Sequence, residues 1–347
     1  MSEDNQRKGE NLIFLISQPR AGSTLTQKIL GNHPSVYTTS EPWLLLHPLY
    51  VFRKAEYKAD YNNDHAVSGL ESFLDTLPDH KQAYFNAIAT GYSQLYAQAL
   101  DKHQKHYFLD KTPRYYNIIS EIHHVFPEAN FILLFRNPLA VLCSIINTWI
   151  GTNWLGLKNY KNDLLKAPLL LVEGMNNLGE KAIILHYERI LKSPEDSFKM
   201  TLERMGLEFF PNLLHYGNRD EIKWDMGDQI SVHKHSYPNS QNLNCWTSSL
   251  ESPQIWRLAS EYLDFLGPKT LKLMGYSYDE LRLCLNKYYP GRFSLWNTLP
   301  LSWLTQDSKD FSSFNYGYYP VRLMNAIQRK GIWGTGTEGI RKLFKPS

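Results

Sequence analysis

Residues 13–31 read IFLISQPRAGSTLTQKILG. An apolar run from Ile13 to Ile16 stops at Ser17-Gln18-Pro19, and an apolar-periodic stretch begins at Ser23. A short continuous apolar run bounded by turn residues fits a strand buried on both faces. The stretch after it fits a helix opening on Ser23. A strand, a small-residue loop and a helix N-terminus in succession favour an anion. The first helical N–H groups lack intrahelical partners, and the helix dipole favours negative charge there. Gly22 lets the backbone approach closely, Ala21 is small, Ser23 and Thr24 add hydroxyls, and Arg20 adds a planar cation. The ATP/GTP loop is G-x-x-x-x-G-K-[ST]; here Gly22 stands where its Lys is required and the leading Gly is missing. Taken alone, the stretch also fits an ordinary strand–turn–helix with a serine cap.

A second segment repeats the arrangement. Residues 131–144, FILLFRNPLAVLCS, predict a strand ending at Arg136, a break at Asn137-Pro138 and a helix. Ser144 follows Arg136 by eight residues, about two helical turns. Arg136 and Ser144 are candidates to hold one phosphate at the carboxyl edge of a sheet, where open α/β sheets bind ligands. A surface arginine and a helix serine also fit. Two such sites on one sheet point to a nucleotide with phosphates at both ends.

Further strands are expected at Tyr107–Leu109 and Ala182–Leu185, beside Leu12–Ile16 and Phe131–Phe135. Helices are expected at Ser23–Leu30, about 82–104, Tyr115–Val125, Leu139–Thr148, Pro194–Arg204 and Pro253–Phe265. Pro194 and Pro253 each follow a serine, the N-cap and N1 signal. Residues 150–180 read as loop with short helical pieces. The expected architecture is α/β, three layers, with a mainly parallel central sheet flanked by helices. Residues 1–284 are expected to form one domain. The aromatic-rich 285–347 reads as an appended segment packing on or near it.

The chain has 347 residues, a net charge of +3 and no long Lys/Arg stripe, which excludes nucleic acid as the expected partner. Three separated cysteines, with no zinc spacing, fit a reducing compartment. The polar start MSEDNQRKGE carries no apolar leader, and no apolar run approaches the ~18 residues of a membrane span. A cytoplasmic protein is expected.

Together the motifs resemble a family: sulfotransferases that use 3′-phosphoadenosine-5′-phosphosulfate (PAPS). SQPRAGSTL (17–25) resembles the family's 5′-phosphosulfate loop, and RNPLAVLCS (136–144) its 3′-phosphate motif. LHYERILKSPED (185–196) resembles its later strand-plus-helix segment. The resemblance implies the family's P-loop-like fold, PAPS as co-substrate and 3′,5′-phosphoadenosine (PAP) as product, with no metal required. Arg20 in the first loop, His33-Pro34 after the first helix and Glu41 beyond resemble the tyrosylprotein-type branch, which makes Glu41 the candidate general base. Sulfuryl transfer needs a group to take the acceptor's proton and cations to answer charge on the leaving phosphate. Arg20 fits the second role. Lys111, in LDKTPRYY, resembles a family lysine that faces the transferred group and is the expected transition-state stabiliser. His33, His47 and His65 are the rival bases, with His33 read as a turn residue. Arg114 is a candidate for the cofactor edge. Tyr187 and Glu188 are expected to brace the loops. In the late loop DQISVHKHSYPNSQNLNCW (228–246), Lys234 and Ser240 are candidate phosphate contacts.

Trp43, Leu44, Leu45, Tyr50 and Phe52 are candidates for the wall of an acceptor pocket, and equally for core. The end EGIRKLFKPS carries apolar and basic residues at helical spacing. It fits a solvated tail better than contact with an anionic membrane. The acceptor is expected to be a small molecule offering a hydroxyl, or an amine or amide nitrogen. Two other functions remain open from sequence: a P-loop kinase or NTPase, and a non-catalytic nucleotide-binding protein on the same fold.

Overall fold

The structure is a computed structural model that describes residues 8–54, 59–216, 236–291 and 298–305. Lys234 and the tail 338–347 lie outside the described residues. The chain divides into two compact units, Met1–Asn137 with Leu165–Leu243, and Pro138–Leu164 with Asn244–Ser347.

The first unit is built on a parallel sheet. Among the described residues its strands are β1 (Leu12–Ser17), β2 (Val36–Thr38), β3 (Tyr107–Lys111), β4 (Asn130–Phe135) and β5 (Ala182–His186). Their order is β2-β3-β1-β4-β5, and every neighbouring pair is parallel. Leu15 pairs with Lys111 on one side of β1, and Ser17 with Leu134 on the other. Strands β1, β4 and β5 read as nearly unbroken apolar runs because both faces are covered. Ile13, Leu15, Ile132, Leu134, Ile183 and Leu185 share one face, in a core with Leu25 and Ile29 of the first helix and Phe198 and Leu202 of the helix Pro194–Arg204. The alternate residues Phe14 and Phe131 stack at 5.6 Å on the other face, where Tyr115 and Phe126 meet Phe14. Because β1 lies between β3 and β4, the chain turns in opposite directions from it. The loops after β1 and β4 therefore flank a crevice at the carboxyl ends of the strands.

The helix Pro194–Arg204 has the expected bounds, and the first helix runs Ser23–Gly31. Other expectations need correction. The stretch expected as one helix at 115–125 is a 3₁₀ turn, Pro113–Asn117, followed by the helix Ile119–Val125, with non-helical backbone at Ile118 between them. The region expected to be loop contains a twelve-residue helix, Ala167–Leu178. Strand β2 and the helix Asn63–Leu74 were not foreseen.

In the second unit, the helix Pro138–Ile145 passes into one π-helical turn, Ile146–Ile150. The helix from Pro253 ends close to the expected Phe265, at Gly267 (φ 68°, ψ 166°) and Pro268, where the backbone leaves the helical conformation, and a further helical stretch continues to Leu273. Of the segment from 285 on, Leu299 exchanges hydrogen bonds with the Gln254 amide and Trp303 is buried.

Candidate active site at the carboxyl edge of the sheet

The first loop is shaped by its backbone. Arg20 (φ 68°) and Gly22 (φ 96°) both adopt left-handed conformations. For Gly22 the conformation is free of the Cβ penalty; for Arg20 it is strained, as is common at ligand sites. A Cβ on Gly22 would also lie 2.3 Å from Cδ2 of Tyr187, so the ring of the residue after β5 closes directly on the loop. Gly22 is the N-cap of the first helix and makes no side-chain cap. Ser23 and Thr24 follow in its first turn and are buried.

The second segment meets the first. Arg136, immediately after β4, donates from Nη1 to the carbonyl of Arg20 at 2.7 Å. Its guanidinium lies 4.4 Å from the centre of the Tyr187 ring, a cation–π distance. The Nε of Arg136 is buried without a hydrogen-bond partner among the described residues. Such a donor is costly unless something accepts from it, and an anion's oxygen fits that need. Glu188 accepts from the Asn137 amide at 2.9 Å. Tyr187 and Glu188 thus brace both loops. Ser144 belongs to the second unit, half-buried on Pro138–Ile145, and is described with that unit.

Glu41, beyond β2, and Lys111, the last residue of β3, form an ion pair with Nζ 2.7 Å from Oε1. The lysine is fully buried and the carboxylate nearly so. Burial pushes the Lys111 ammonium below its ordinary pKa, and the charge of Glu41 opposes that shift. Ammonium and carboxylate are hydrogen-bonded donor to acceptor, the stronger, charge-assisted kind.

The loop after Glu41 is also strained. Trp43 has φ 56°, its indole N–H is buried without a partner among the described residues, and Arg114 lies over its ring at 5.7 Å. The Trp43 amide donates to Thr112 Oγ1 (3.3 Å), and the Leu45 amide donates to the Tyr115 hydroxyl (2.9 Å). Leu45 is fully buried and belongs to core, while the half-buried Phe52 packs against Tyr84 and Phe85. Trp43, Leu44 and Tyr50 are half-buried. Sequence reasoning passed over Asp110, which is wholly buried beside Lys111 and accepts from Tyr96, Thr112 and Tyr115. A lone acidic residue inside an apolar strand and followed by a hydroxyl was the available signal.

His33 is not placed to act as a base. It is buried, its Nδ1 accepts from the Ser35 amide at 3.1 Å, and Nε2 therefore carries the proton and donates to the Glu208 carbonyl at 3.2 Å. Burial lowers its pKa. Ser240 lies in the first unit, on the wall of a recess of about 530 Å³ with Lys192, Ser236, Tyr237 and Asn239.

The sequence pattern described as "Sulfotransferase family" matches residues 12–211, more than half of the chain. The chain belongs to the sulfotransferase family. It is 25% identical over 291 residues to the nodulation protein NoeE of Sinorhizobium fredii, covering 76% of this chain and 66% of that protein, just under two thirds of its length. It is 23% identical to a putative protein-tyrosine sulfotransferase of Caenorhabditis briggsae, covering 75% of this chain and 90% of that one. The solved sulfotransferase domain from the curacin biosynthetic pathway superposes with a TM-score of 0.51 at 18% identity. That match covers 76% of this chain and 97% of the domain, and extends the likeness to the fold. Among the described residues no helix is long and apolar enough to cross a membrane.

Proposed function

We propose that this sulfotransferase moves a sulfuryl group from PAPS to a hydroxyl, or an amine or amide nitrogen, of an acceptor, with Glu41 as general base. The observation that carries the proposal is the hydrogen bond from Arg136 to the Arg20 carbonyl. It joins the two anion-favouring loops, within reach of a single ligand bearing phosphate at two positions. Arg20, Ala21, Gly22, Ser23 and Thr24 take the 5′-phosphosulfate, and Arg136 the 3′-phosphate. Ser144, Lys234 and Ser240 are proposed as further donor contacts.

In the reaction the acceptor oxygen forms a bond to sulfur as the bond between sulfur and the bridging phosphate oxygen breaks. PAP leaves with that electron pair, and Glu41 takes the acceptor's proton. The Glu41–Lys111 pair gives this transfer a charge logic. When Glu41 is neutralised, the Lys111 ammonium loses its counter-charge just as negative charge grows at the transferring group. The half-buried Trp43 and Leu44, close after Glu41 in the chain, and Tyr50 are proposed to line the acceptor's approach.

A small molecule is the acceptor class proposed first. A tyrosine side chain is the second reading, favoured by the name of the Caenorhabditis briggsae relative and by the Arg20, His33-Pro34 and Glu41 pattern. The test is transfer of ³⁵S from labelled PAPS into a metabolite extract and, separately, into tyrosine-containing peptides, with the labelled product identified. Calorimetry with PAP runs alongside. Glu41→Gln is expected to lower turnover by about 10²–10⁴-fold, the usual span of general-base catalysis, while PAP affinity stays within about threefold, roughly 0.7 kcal/mol. Undiminished turnover in Glu41→Gln removes the base assignment.

A further inference from the structure

We infer that Asp110 is a positioning residue for the sulfuryl-transfer site, anchoring the loop that carries Glu41 through the hydroxyls of Thr112 and Tyr115. Two hydrogen-bond chains leave this carboxylate. Thr112 Oγ1 donates to Asp110 Oδ1 at 3.0 Å and accepts from the Trp43 amide at 3.3 Å. The Tyr115 hydroxyl donates to Oδ2 at 3.1 Å and accepts from the Leu45 amide at 2.9 Å. The Tyr96 hydroxyl gives Oδ2 a second bond at 2.8 Å.

The direction of these bonds identifies the role. A hydroxyl has one proton and two lone pairs. If the Thr112 and Tyr115 protons are committed to Asp110, their lone pairs must face outward, where the amides of Trp43 and Leu45 meet them. An ionised carboxylate enforces this because it can only accept. An amide or a neutral acid at position 110 presents a donor as well, and turns one hydroxyl around. The two anchored amides flank Leu44 and lie two and four residues beyond Glu41. They hold Trp43 at φ 56°, a strained conformation that persists only when its surroundings over-determine it.

Asp110 and Lys111 are consecutive on β3, so their side chains leave opposite faces of the strand. Lys111 grips Glu41 directly, and Asp110 grips the following turn through its two hydroxyls. The strand end thus holds the loop from both sides. The kinetic consequence of this anchor rests on Glu41 being the base; the anchor itself does not.

The test compares the full-length protein with Thr112→Val, Tyr115→Phe and Asp110→Asn. Each is assayed by amide hydrogen exchange of the peptide spanning 41–45, by PAP calorimetry and by ³⁵S transfer to the acceptor found in the screen above. Thr112→Val and Tyr115→Phe are expected to speed exchange in that peptide about tenfold or more, the loss of one hydrogen bond, and to lower turnover similarly. PAP affinity stays within about twofold, roughly 0.4 kcal/mol. Asp110→Asn behaves like one broken chain, and combining it with either Thr112→Val or Tyr115→Phe, whichever removes the hydroxyl that the amide has turned, costs less than the product of the two single effects, because both act on one chain. Unchanged exchange at 41–45 in the folded Thr112→Val and Tyr115→Phe proteins overturns the inference. So does a fall in PAP affinity in step with turnover, which marks a general structural loss. If the unaltered protein binds no PAP, the donor assignment fails while the exchange comparison still decides the anchor.

Discussion

The loop after β1 and the loop after β2 stand at the same edge of the sheet and are held in different ways. The first, Pro19–Thr24, carries its shape in its own backbone, left-handed Arg20 and Gly22 and then a helix N-terminus, with Arg136 and Tyr187 bracing it from outside. The second, Glu41–Leu45, has a strained residue of its own in Trp43, but is fixed by side chains about seventy positions away, Lys111, Thr112 and Tyr115. A loop built from local geometry can be recognised in one stretch of sequence. A loop built from distant hydroxyls cannot, because nothing in its own residues says what will hold it.

The sharpest way to break the first loop is Gly22→Val. It asks a β-branched residue to adopt φ 96° and to place a carbon 2.3 Å from the Tyr187 ring. A loss of about 3 kcal/mol or more in stability is expected, together with loss of detectable PAP binding; thermal melts and calorimetry read the two. A Gly22→Val protein that binds PAP normally would show that the loop's backbone does not make the cradle.

The second loop is tested through pH. Asp110 has its pKa raised from 3.8 to about 6 by burial, against the hydrogen bonds from Tyr96, Thr112 and Tyr115 and the nearby Lys111 charge. The groups facing it are those three hydroxyls; the Lys111 charge, paired to Glu41, acts on it from the opposite face of the strand. Between these two values the folded state keeps a proton that the unfolded state has released. The stabilisation is therefore fully present below pH 3.8 and lost as pH rises through about 6, about 3 kcal/mol in all. Asp110→Asn has no such group. The stability of the unaltered protein relative to Asp110→Asn should fall across this window, and chemical denaturation at pH 4, 5, 6 and 7 measures it. A flat difference removes the burial account of Asp110.

The smallest expected effect lies where the two anion segments touch. Arg136→Lys keeps the charge but loses the planar fork that reaches the Arg20 carbonyl and lies over Tyr187. PAP affinity is expected to weaken about tenfold, 1.4 kcal/mol, with the melting temperature little changed. Equal affinity would mean that only charge matters there.

The sheet was legible where strands are buried on both faces. Phe131–Phe135 and Ala182–Leu185 stand as unbroken apolar runs within β4 and β5. Strand β2 was missed because Val36-Tyr37-Thr38 has three residues and one half-exposed ring, too short for any period. The helix Ala167–Leu178 was missed because Pro168 and Gly174 look like breakers. Pro168 sits in the first turn, where its missing N–H is harmless. Gly174 is small because Ile119 presses on it: a Cβ there would lie 2.5 Å from the isoleucine. Within the candidate site, Arg20, Glu41, Lys111 and Arg136 were each named from sequence, but the ion pair and the Arg136–Arg20 bond join positions too far apart in the chain to infer.

The buried salt bridge sets what this edge of the sheet offers to solvent. Opposite signs 2.7 Å apart cancel at a distance, so this corner of the resting protein exerts little pull on passing ions. In the proposed reaction, long-range attraction of an anionic donor then falls to the arginines, Arg20 and Arg136. The carboxylate and ammonium matter only to a nucleophile already in contact with them. The same edge of the sheet thereby separates attraction from activation.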